Sequence, residues 1–372
     1  MRIVLALDSF KGSISAVDAT AAVARGVHDV DPAIEVILRP MADGGEGTLA
    51  AFAAAVGGVR RMLVTVMGPA GSVIEAVWLL LAPTADAPNG TAVIDLASTS
   101  GIELLDELRP WDADTTGFGQ AIAAALDHGV SRLVLGIGSS ASTDGGTGML
   151  AALGAQFLDA AGQPIARGAR GLADLSRVDL SALRRLSGDR PIDVLVLSDV
   201  MNPLIGPKGA ATVFGPQKGL TEPADIRALD AHLARLAQLL DVDPTTPRSG
   251  AAGGAGLALH AWGARLVSGA AEVAALINLD QEIAAADLVI TGEGSFDGQS
   301  AEGKVPAFVA GRAAHLGVAV ALVAGRIAPD VDATAFTSAY SLTALAGRAE
   351  LALADPATYL HQAGAAIARA LS

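Results

Sequence analysis

Cysteine is absent from the 372-residue sequence. Disulfides and thiolate metal sites are therefore excluded, and nothing indicates an oxidising compartment. The six histidines show no HExxH spacing, so no zinc site is predicted. A GxSxG motif is also missing, and acyl transfer receives no support from the motifs.

Aromatic residues are scarce, at 3%, and the formal net charge is −14 with a pI of about 4.8. A nucleic acid or an anionic membrane surface needs a basic footprint, so neither is expected as a partner. No uncharged apolar run approaches the ~18 residues of a membrane span. Met1 leads straight into a strand pattern without a signal-peptide layout, and the expected location is the cytoplasm.

Lysine is rare, and each of the four lysines stands next to a glycine. They are Lys11, Lys208, Lys218 and Lys304. One interpretation is that turns tolerate lysine. The other is that mobile ammonium groups lie beside exposed backbone N–H groups, an arrangement suited to phosphate or carboxylate.

Short aliphatic runs, Gly-rich loops and alanine-rich helical patterns recur along the chain. The runs are 3–7, 34–39, 132–138, 287–294 and 318–325. This alternation predicts an α/β fold with a parallel sheet covered by helices. Residues 59–99 instead alternate as antiparallel hairpins, with turn residues at 68–71 and 88–90.

We therefore predict a discontinuous Rossmann-like parallel-sheet domain with a second, inserted mixed α/β domain. The Rossmann-like domain is assigned residues 1–58, 115–156 and 276–372. The inserted domain is assigned residues 59–114 and 157–275. The active site is expected in the cleft between these domains, because ligands of open α/β sheets bind where the carboxyl ends of the strands present their loops.

Polar loops follow four of the predicted strands. Asp8 and Lys11 form a charged pair after the first strand, and Asp43 with Glu46 forms a carboxylate pair suited to hydrated Mg²⁺ or a hydroxyl. The loop 136–148 has the character of a phosphate cradle but lacks the GK[ST] of a P-loop. Each of these loops also admits a purely structural role as a turn or helix cap.

Further carboxylates follow other strands. Asp144 stands near the start of a helix, and Asp199 follows the apolar strand DVLVL. The stretch 287-DLVITGEGSFDGQSAEGKVP-306 combines four glycines, four acids and Lys304, and predicts one wall of an anion and metal site. Carboxylates, lysines and Gly-rich loops without a covalent nucleophile favour phosphoryl transfer, in which the protein mainly positions groups and neutralises charge.

Six motifs in order resemble the bacterial type I glycerate kinases. They are DSFKGSISA (8–16), PMADGGEGT (40–48), IGSSASTDGGTGM (137–149), SDVMNPLIGPKGAATVFGPQKG (198–219), SGAAGGAG (249–256) and ADLVITGEGSFDGQSAEGKVP (286–306). The family usually has GIGGSATNDGG, whereas Ser139 here replaces a glycine and Thr143 an asparagine. The resemblance implies phosphorylation of D-glycerate by Mg²⁺-ATP, generally to 2-phosphoglycerate.

The resemblance also implies roles for individual residues. Lys11, with Lys218 or Lys304, is expected to contact the glycerate carboxylate and the transferring phosphoryl group. Asp199, Glu293 and Asp297 are candidates for holding Mg²⁺ or accepting the hydroxyl proton, with Asp199 favoured as the base and the other two as metal ligands. The remaining candidates for substrate or phosphate binding are Asp8, Ser9, Asp43, Glu46, Gly138, Ser139, Ser140, Asp144, Asn202, Lys218, Gly253, Gly254 and Gln299.

Two alternatives stay open. One is a kinase of another small hydroxy acid, in which the surroundings of Ser139 and Arg326 would set the acceptor. The other is a non-catalytic sensor of a sugar acid or nucleotide, although no DNA-binding helix pair or basic stripe supports it. The expected partner is a small molecule, and a homo-oligomer is compatible with the sequence.

Overall fold

A computed structural model describes residues 1–187, 191–298 and 304–371. Among these residues the strands are β1 (Arg2–Leu7), β2 (Glu35–Leu38), β3 (Arg60–Met67), β4 (Val73–Leu81), β5 (Thr91–Asp95), β6 (Arg132–Gly136), β7 (Gln156–Leu158), β8 (Arg177–Asp179), β9 (Asp193–Leu197), β10 (Arg265–Val267), β11 (Leu288–Phe296), β12 (Ala319–Ile327) and β13 (Ser338–Ser341).

The α-helices in the described part of the chain are α1 (Ala16–Val30), α2 (Thr48–Ala55), α3 (Ala97–Ser100), α4 (Thr116–His128), α5 (Thr147–Ala152), α6 (Ala210–Phe214), α7 (Pro223–Leu239), α8 (Ala255–Trp262), α9 (Gly269–Leu276), α10 (Leu279–Ala284), α11 (Val305–Leu316), α12 (Leu342–Ala346), α13 (Ala349–Ala354) and α14 (Pro356–Leu371). None of these helices combines the length and the apolarity that crossing a membrane requires.

The chain divides into two compact units. The first contains residues 1–43, 50–57 and 269–372, and the second contains residues 44–49 and 58–268. Residues 115–156, which the sequence analysis assigned to the Rossmann-like domain, lie in the second unit. The reason is strand pairing, because β6 hydrogen-bonds to β5 and β9 and so joins their sheet.

The first unit is built on a parallel sheet with the order β13-β12-β11-β1-β2. Strand β1 is almost continuously apolar and buried, as expected for a parallel strand covered on both faces. Helices α1 and α14 pack against this sheet and share its core. The parallel α/β arrangement predicted from the strands at 3–7, 287–294 and 318–325 is confirmed.

The second unit contains a six-stranded mixed sheet with the order β10-β9-β6-β5-β4-β3. Strands β3, β4 and β5 pair antiparallel, which confirms the hairpins predicted in residues 59–99. Strands β5, β6, β9 and β10 pair in parallel. A short antiparallel pair, β7 and β8, completes the described strands of this unit. The predicted mixed α/β class is therefore correct.

Candidate active site

The first unit carries a cavity of about 370 Å³ beyond the carboxyl ends of β1, β11 and β12. Three cationic and three acidic side chains line it, together with backbone and apolar groups. The charged residues are Asp8, Lys11, Asp43, Glu293, Lys304 and Arg326. Five of these six belong to the residues that the sequence predicted, and the topology brings them together because β1 and β11 are adjacent.

Asp8 is a strongly perturbed carboxyl group of this cavity. The side chain is buried, and the backbone N–H of Ser9 donates a hydrogen bond of 2.7 Å to Oδ1. Burial, followed by the negative charge of Asp43, raises the pKa of Asp8 to about 8. A carboxyl group whose pKa lies near neutrality can exchange a proton under physiological conditions, as the groups of active sites often do.

Lys11 lies beside this carboxyl group with a largely exposed side chain. Its Nζ is 3.2 Å from Oδ2 of Asp43, and the charge of Asp43 raises the pKa of the ammonium group. Asp8 and Glu293 add to the same effect. Lys11 therefore stays positively charged at neutral pH, and its ammonium group can meet an anion in the cavity.

Arg326 stands on β12 at the same rim. Its Nε donates a hydrogen bond of 2.8 Å to Oγ of Ser295, and Nη2 lies 4.0 Å from Oδ2 of Asp297. Ser295 in turn donates to Asp297 over 3.3 Å. Asp297, predicted as a metal ligand, thus lies beside an arginine.

Lys304 occupies the position immediately before α11 and lines the cavity. The first turn of a helix presents unpaired N–H groups, so an ammonium group there adds to a region that favours anions. Gln299, also predicted as a binding residue, lies outside the described residues.

The carboxylates of the cavity are the kind of ligand that Mg²⁺ prefers. Glu293 supplies a buried carboxylate to the cavity, and Asp8 and Asp43 supply two more. In the described part of the chain, no group of three or more His, Cys, Asp or Glu is arranged to hold a metal ion. Because Mg²⁺ usually takes one or two carboxylates plus substrate phosphates and water, the cavity fits a metal that arrives with a nucleotide.

The predicted phosphate cradle lies in the second unit, between β6 and α5. The N–H of Gly138 donates to the carbonyl of Gly44 over 2.9 Å, so this group is already occupied by the chain. Ser139 is exposed and has a φ of 57°, in the left-handed region. A glycine adopts this conformation without strain, which gives a physical reason for the glycine that the family usually has there.

Lys218 is buried beneath this loop, with 2% of its surface exposed. Its Nζ donates to Oγ of Ser140 and to the carbonyl of Ser142, each over 2.6 Å. Burial lowers the pKa of the amine to about 7, although Asp144 opposes the shift. The structure therefore gives Lys218 a role in holding the loop in shape.

The depressed pKa of Lys218 makes a prediction about stability. An unfolded lysine keeps the ordinary pKa of 10.5, so between about pH 7 and that value the unfolded chain binds more protons. The free energy of unfolding should therefore rise with pH in this window, by up to ~1.4 kcal/mol per pH unit. Urea unfolding at about pH 8 and about pH 9 should show this rise in the wild type and lose it in Lys218→Met. Identical slopes would mean that the buried amine is protonated.

Asp144 is fully buried in the same loop and joins two helices. Its carboxylate accepts hydrogen bonds from N–H and Oγ1 of Thr115, before α4, and from the N–H groups of Gly146 and Gly148, at the start of α5. Burial raises the pKa of Asp144, with the charge of Asp114 as the next cause. These contacts are those of a helix cap, the structural role that the sequence left open.

Gly253 and Gly254 pack against the loop that contains Asp144. The N–H of Gly145 donates to the carbonyl of Gly253 over 3.0 Å. A Cβ at Gly253 would lie 2.1 Å from the carbonyl oxygen of Ser142, and one at Gly254 would lie 2.9 Å from Cα of Gly145. Two Gly-rich loops of the second unit are thus in backbone contact.

This contact predicts a large cost for a single methyl group. Gly253→Ala should lower the free energy of unfolding by about 1–3 kcal/mol more than Gly317→Ala. Both glycines have positive φ, 65° and 73°, but nothing lies within 4 Å of a Cβ at Gly317. Urea unfolding of both variants separates the contact from the backbone strain. Equal losses would show that the loops can move apart at little cost.

Three other predicted residues lie elsewhere in the second unit. Asp199 follows β9 and is half-buried, and its Oδ1 accepts a hydrogen bond of 2.9 Å from Oγ of Ser268. Asn202 donates from Nδ2 to the carbonyl of Lys208 over 2.8 Å, which fixes the loop after β9. Glu46 is exposed, and its charge contributes to raising the pKa of the buried Asp95, after burial itself.

Comparison with known proteins decides the family. The model of the glycerate kinase family matches residues 3–372. The chain belongs to this family. A glycerate kinase of Halalkalibacterium halodurans is 40% identical over 339 residues, which are 89% of this chain and 87% of that protein. The glycerate 2-kinase of Escherichia coli K12 is 41% identical over 339 residues, with the same shares of the two chains.

A solved structure extends the likeness to the fold. The crystal structure of a protein from Salmonella typhimurium LT2, provisionally named glycerate kinase 2, superposes with a TM-score of 0.82. The two sequences are 37% identical, and the superposition covers 100% of this chain and 98% of the other. The glycerate kinase fold therefore spans the whole chain.

Some residues of this glycerate kinase cavity escaped the sequence analysis. Ser295 orients Arg326, and Phe10 and Leu353 line the cavity from other elements. Arg326 was named only as a residue whose surroundings would set the acceptor, although it follows an apolar run as the predicted carboxylates do. Leu353 carried none, since an apolar residue in a helical pattern predicts packing against a core.

Proposed function

We propose that this protein is a glycerate kinase that transfers the γ-phosphoryl group of ATP to D-glycerate, with 2-phosphoglycerate as the favoured product. The observation that carries the proposal is the cavity of the first unit, where Lys11, Lys304 and Arg326 meet Asp8, Asp43 and Glu293. Family membership and the names of the relatives support the same activity.

In the proposed reaction the C2 hydroxyl oxygen of glycerate attacks the γ-phosphorus. The new O–P bond forms, the bond from phosphorus to the β-bridging oxygen breaks, and ADP leaves with that electron pair. The hydroxyl proton passes to a carboxylate, for which we favour Asp199. Asp8 is the other candidate, because it is buried in the cavity and its pKa is raised to about 8.

Charge neutralisation is assigned to the cations. Lys11 and Lys304 would contact the transferring phosphoryl group and the glycerate carboxylate, because ammonium groups at fixed positions stabilise charge that develops during transfer. Glu293, with Asp297 as the second candidate, would hold Mg²⁺. When bound, Mg²⁺ would supply neutralisation of phosphate charge.

The residues of the second unit receive different roles. Ser139 and Ser140 remain proposed phosphate contacts, together with Ser9 in the first unit. Lys218, Asp144, Gly138, Gly253 and Gly254 are proposed to act through the shape of the loops, since their polar groups or backbones are engaged within the unit. Asn202 and Glu46 are proposed to flank bound substrate.

An ADP-release assay with Mg²⁺-ATP and D-glycerate tests the proposal, with the product analysed by phosphorus NMR. Turnover to 2-phosphoglycerate is expected. A spectrum of 3-phosphoglycerate would show that the protein is a glycerate kinase that phosphorylates the C3 hydroxyl instead of the C2 hydroxyl. If D-glycerate is not consumed while other small hydroxy acids are, the assigned acceptor is wrong.

A further inference from the structure

The cavity of the first unit has a second wall that the proposed chemistry does not use. This wall comes from α12 and α13, and Leu342, Ala349, Ala352 and Leu353 line it. Leu353 is 63% exposed, although it is a large apolar side chain. Apolar surface exposed inside a cavity indicates a ligand with an apolar part, because covering it releases water.

Glycerate does not match this wall. Each of its three carbons bears oxygen, so the acid has no apolar part to place against leucine. The cavity of about 370 Å³ also falls in the range of ~300–1,000 Å³ that holds ligands much larger than a three-carbon acid. A nucleotide combines what the two walls offer, since its base is flat and largely apolar and its phosphates are anionic.

The positive charges of the cavity fit a nucleotide whose base lies against the apolar wall and whose phosphates lie at the other wall. Lys11, Lys304 and Arg326 all line the cavity and supply its positive charges. Phosphate oxygens pair with ammonium and guanidinium groups, so these side chains suit the anionic part of a nucleotide.

The apolar wall has few side chains that could form hydrogen bonds with the edge of a nucleotide base. Among the described side chains that α12 and α13 contribute to the cavity, Thr343 is the polar one. Its Oγ1 already donates to the carbonyl of Gly325 over 2.9 Å. Pockets discriminate strongly between related ligands when buried polar groups must pair with them, whereas hydrocarbon contacts discriminate weakly.

We propose that the cavity of the first unit is the nucleotide site, with the base against the wall formed by α12 and α13, where Leu353 is exposed, and that it distinguishes weakly between adenine and guanine. This inference rests on the proposed kinase function, because it assigns one of the two substrates to the cavity.

Calorimetric titration with Mg²⁺-ADP, without glycerate, tests the site separately from turnover. Leu353→Asn should raise the Kd for ADP about tenfold, since most of the contact of one leucine is lost. Leu351→Asn is the matched control, because Leu351 lies on the same helix, is 40% exposed and does not line the cavity. The KM for glycerate should stay unchanged in both variants.

The outcomes separate this inference from the proposed function. Equal effects of the two variants on ADP affinity, an increase in the KM for glycerate alone, or an absence of ADP binding to the wild type would overturn the site. Sensitivity of ADP binding to Leu353 in a protein that does not turn over D-glycerate would support the site and reject the assigned acceptor. For GDP, a Kd within about fivefold of that for ADP is expected. A preference of about a hundredfold for ADP would overturn weak discrimination.

Discussion

Asp199→Asn is expected to lower kcat with D-glycerate by about 10²–10⁴-fold, the usual contribution of a general base. Asparagine has the shape of aspartate and can still accept the hydrogen bond from Ser268, but it cannot take a proton from the substrate hydroxyl. The melting temperature should therefore remain close to that of the wild type. Steady-state kinetics and thermal unfolding of the same preparation check both statements.

Asp86→Asn is a suitable control for the lost charge, because Asp86 is exposed in the second unit. This variant should retain wild-type turnover. If Asp199→Asn unfolds, the carboxylate is structural. If the variant is folded and fully active, Asp199 is not the base, and Asp8→Asn becomes the decisive variant.

Lys304→Ala is expected to lower kcat by about 10²–10³-fold, comparable to the loss of one donor that stabilises transition-state charge. The KM for glycerate should change much less, because the contact strengthens as negative charge moves onto the oxygens of the phosphoryl group. Stability should be nearly unaffected, since Lys304 stands before the first turn of α11 and not within its core face.

Lys208→Ala provides the matched comparison for Lys304. Lys208 is also a lysine beside a glycine, but it is exposed in the second unit and does not line the cavity. Its removal should leave kcat unchanged. A folded Lys304→Ala enzyme with normal kcat would exclude Lys304 from charge stabilisation and leave Lys11 as the candidate.

The sequence predicts the fold class of this chain well because its signals are local. The apolar runs of β1 and β12 are uninterrupted, β11 begins with a shorter one, and the alternation in β3 and β4 has the period of half-exposed strands. The partner of a strand is not a local property. Residues 132–138 have the same pattern as β1, yet β6 pairs in the other sheet, and periodicity contains no information about that choice.

In the candidate site, too, the sequence predicts local features but not the contacts that depend on the whole fold. Charged residues after strands were found because β1 and β11 both end in loops that combine acids, lysines and glycines. Lys218 and Lys304 have the same sequence context, a glycine neighbour, but one is 2% exposed and the other lines a cavity. Burial depends on which loops fold over a residue, so the sequence could not separate a lysine that shapes a loop from one that meets a ligand.

The pairing of β1 with β11 joins Ile3 to Leu288 and Leu7 to Gly292. The ribosome synthesises β1 long before β11. The strand β1 therefore has no β11 to pair with until the whole second unit has been synthesised. Strand pairs that are distant along the chain form late, and their unpaired edges are exposed in the meantime. Because the cavity needs both strands, a truncated chain that ends before β11 would carry Asp8 and Lys11 but have no cavity to place them in.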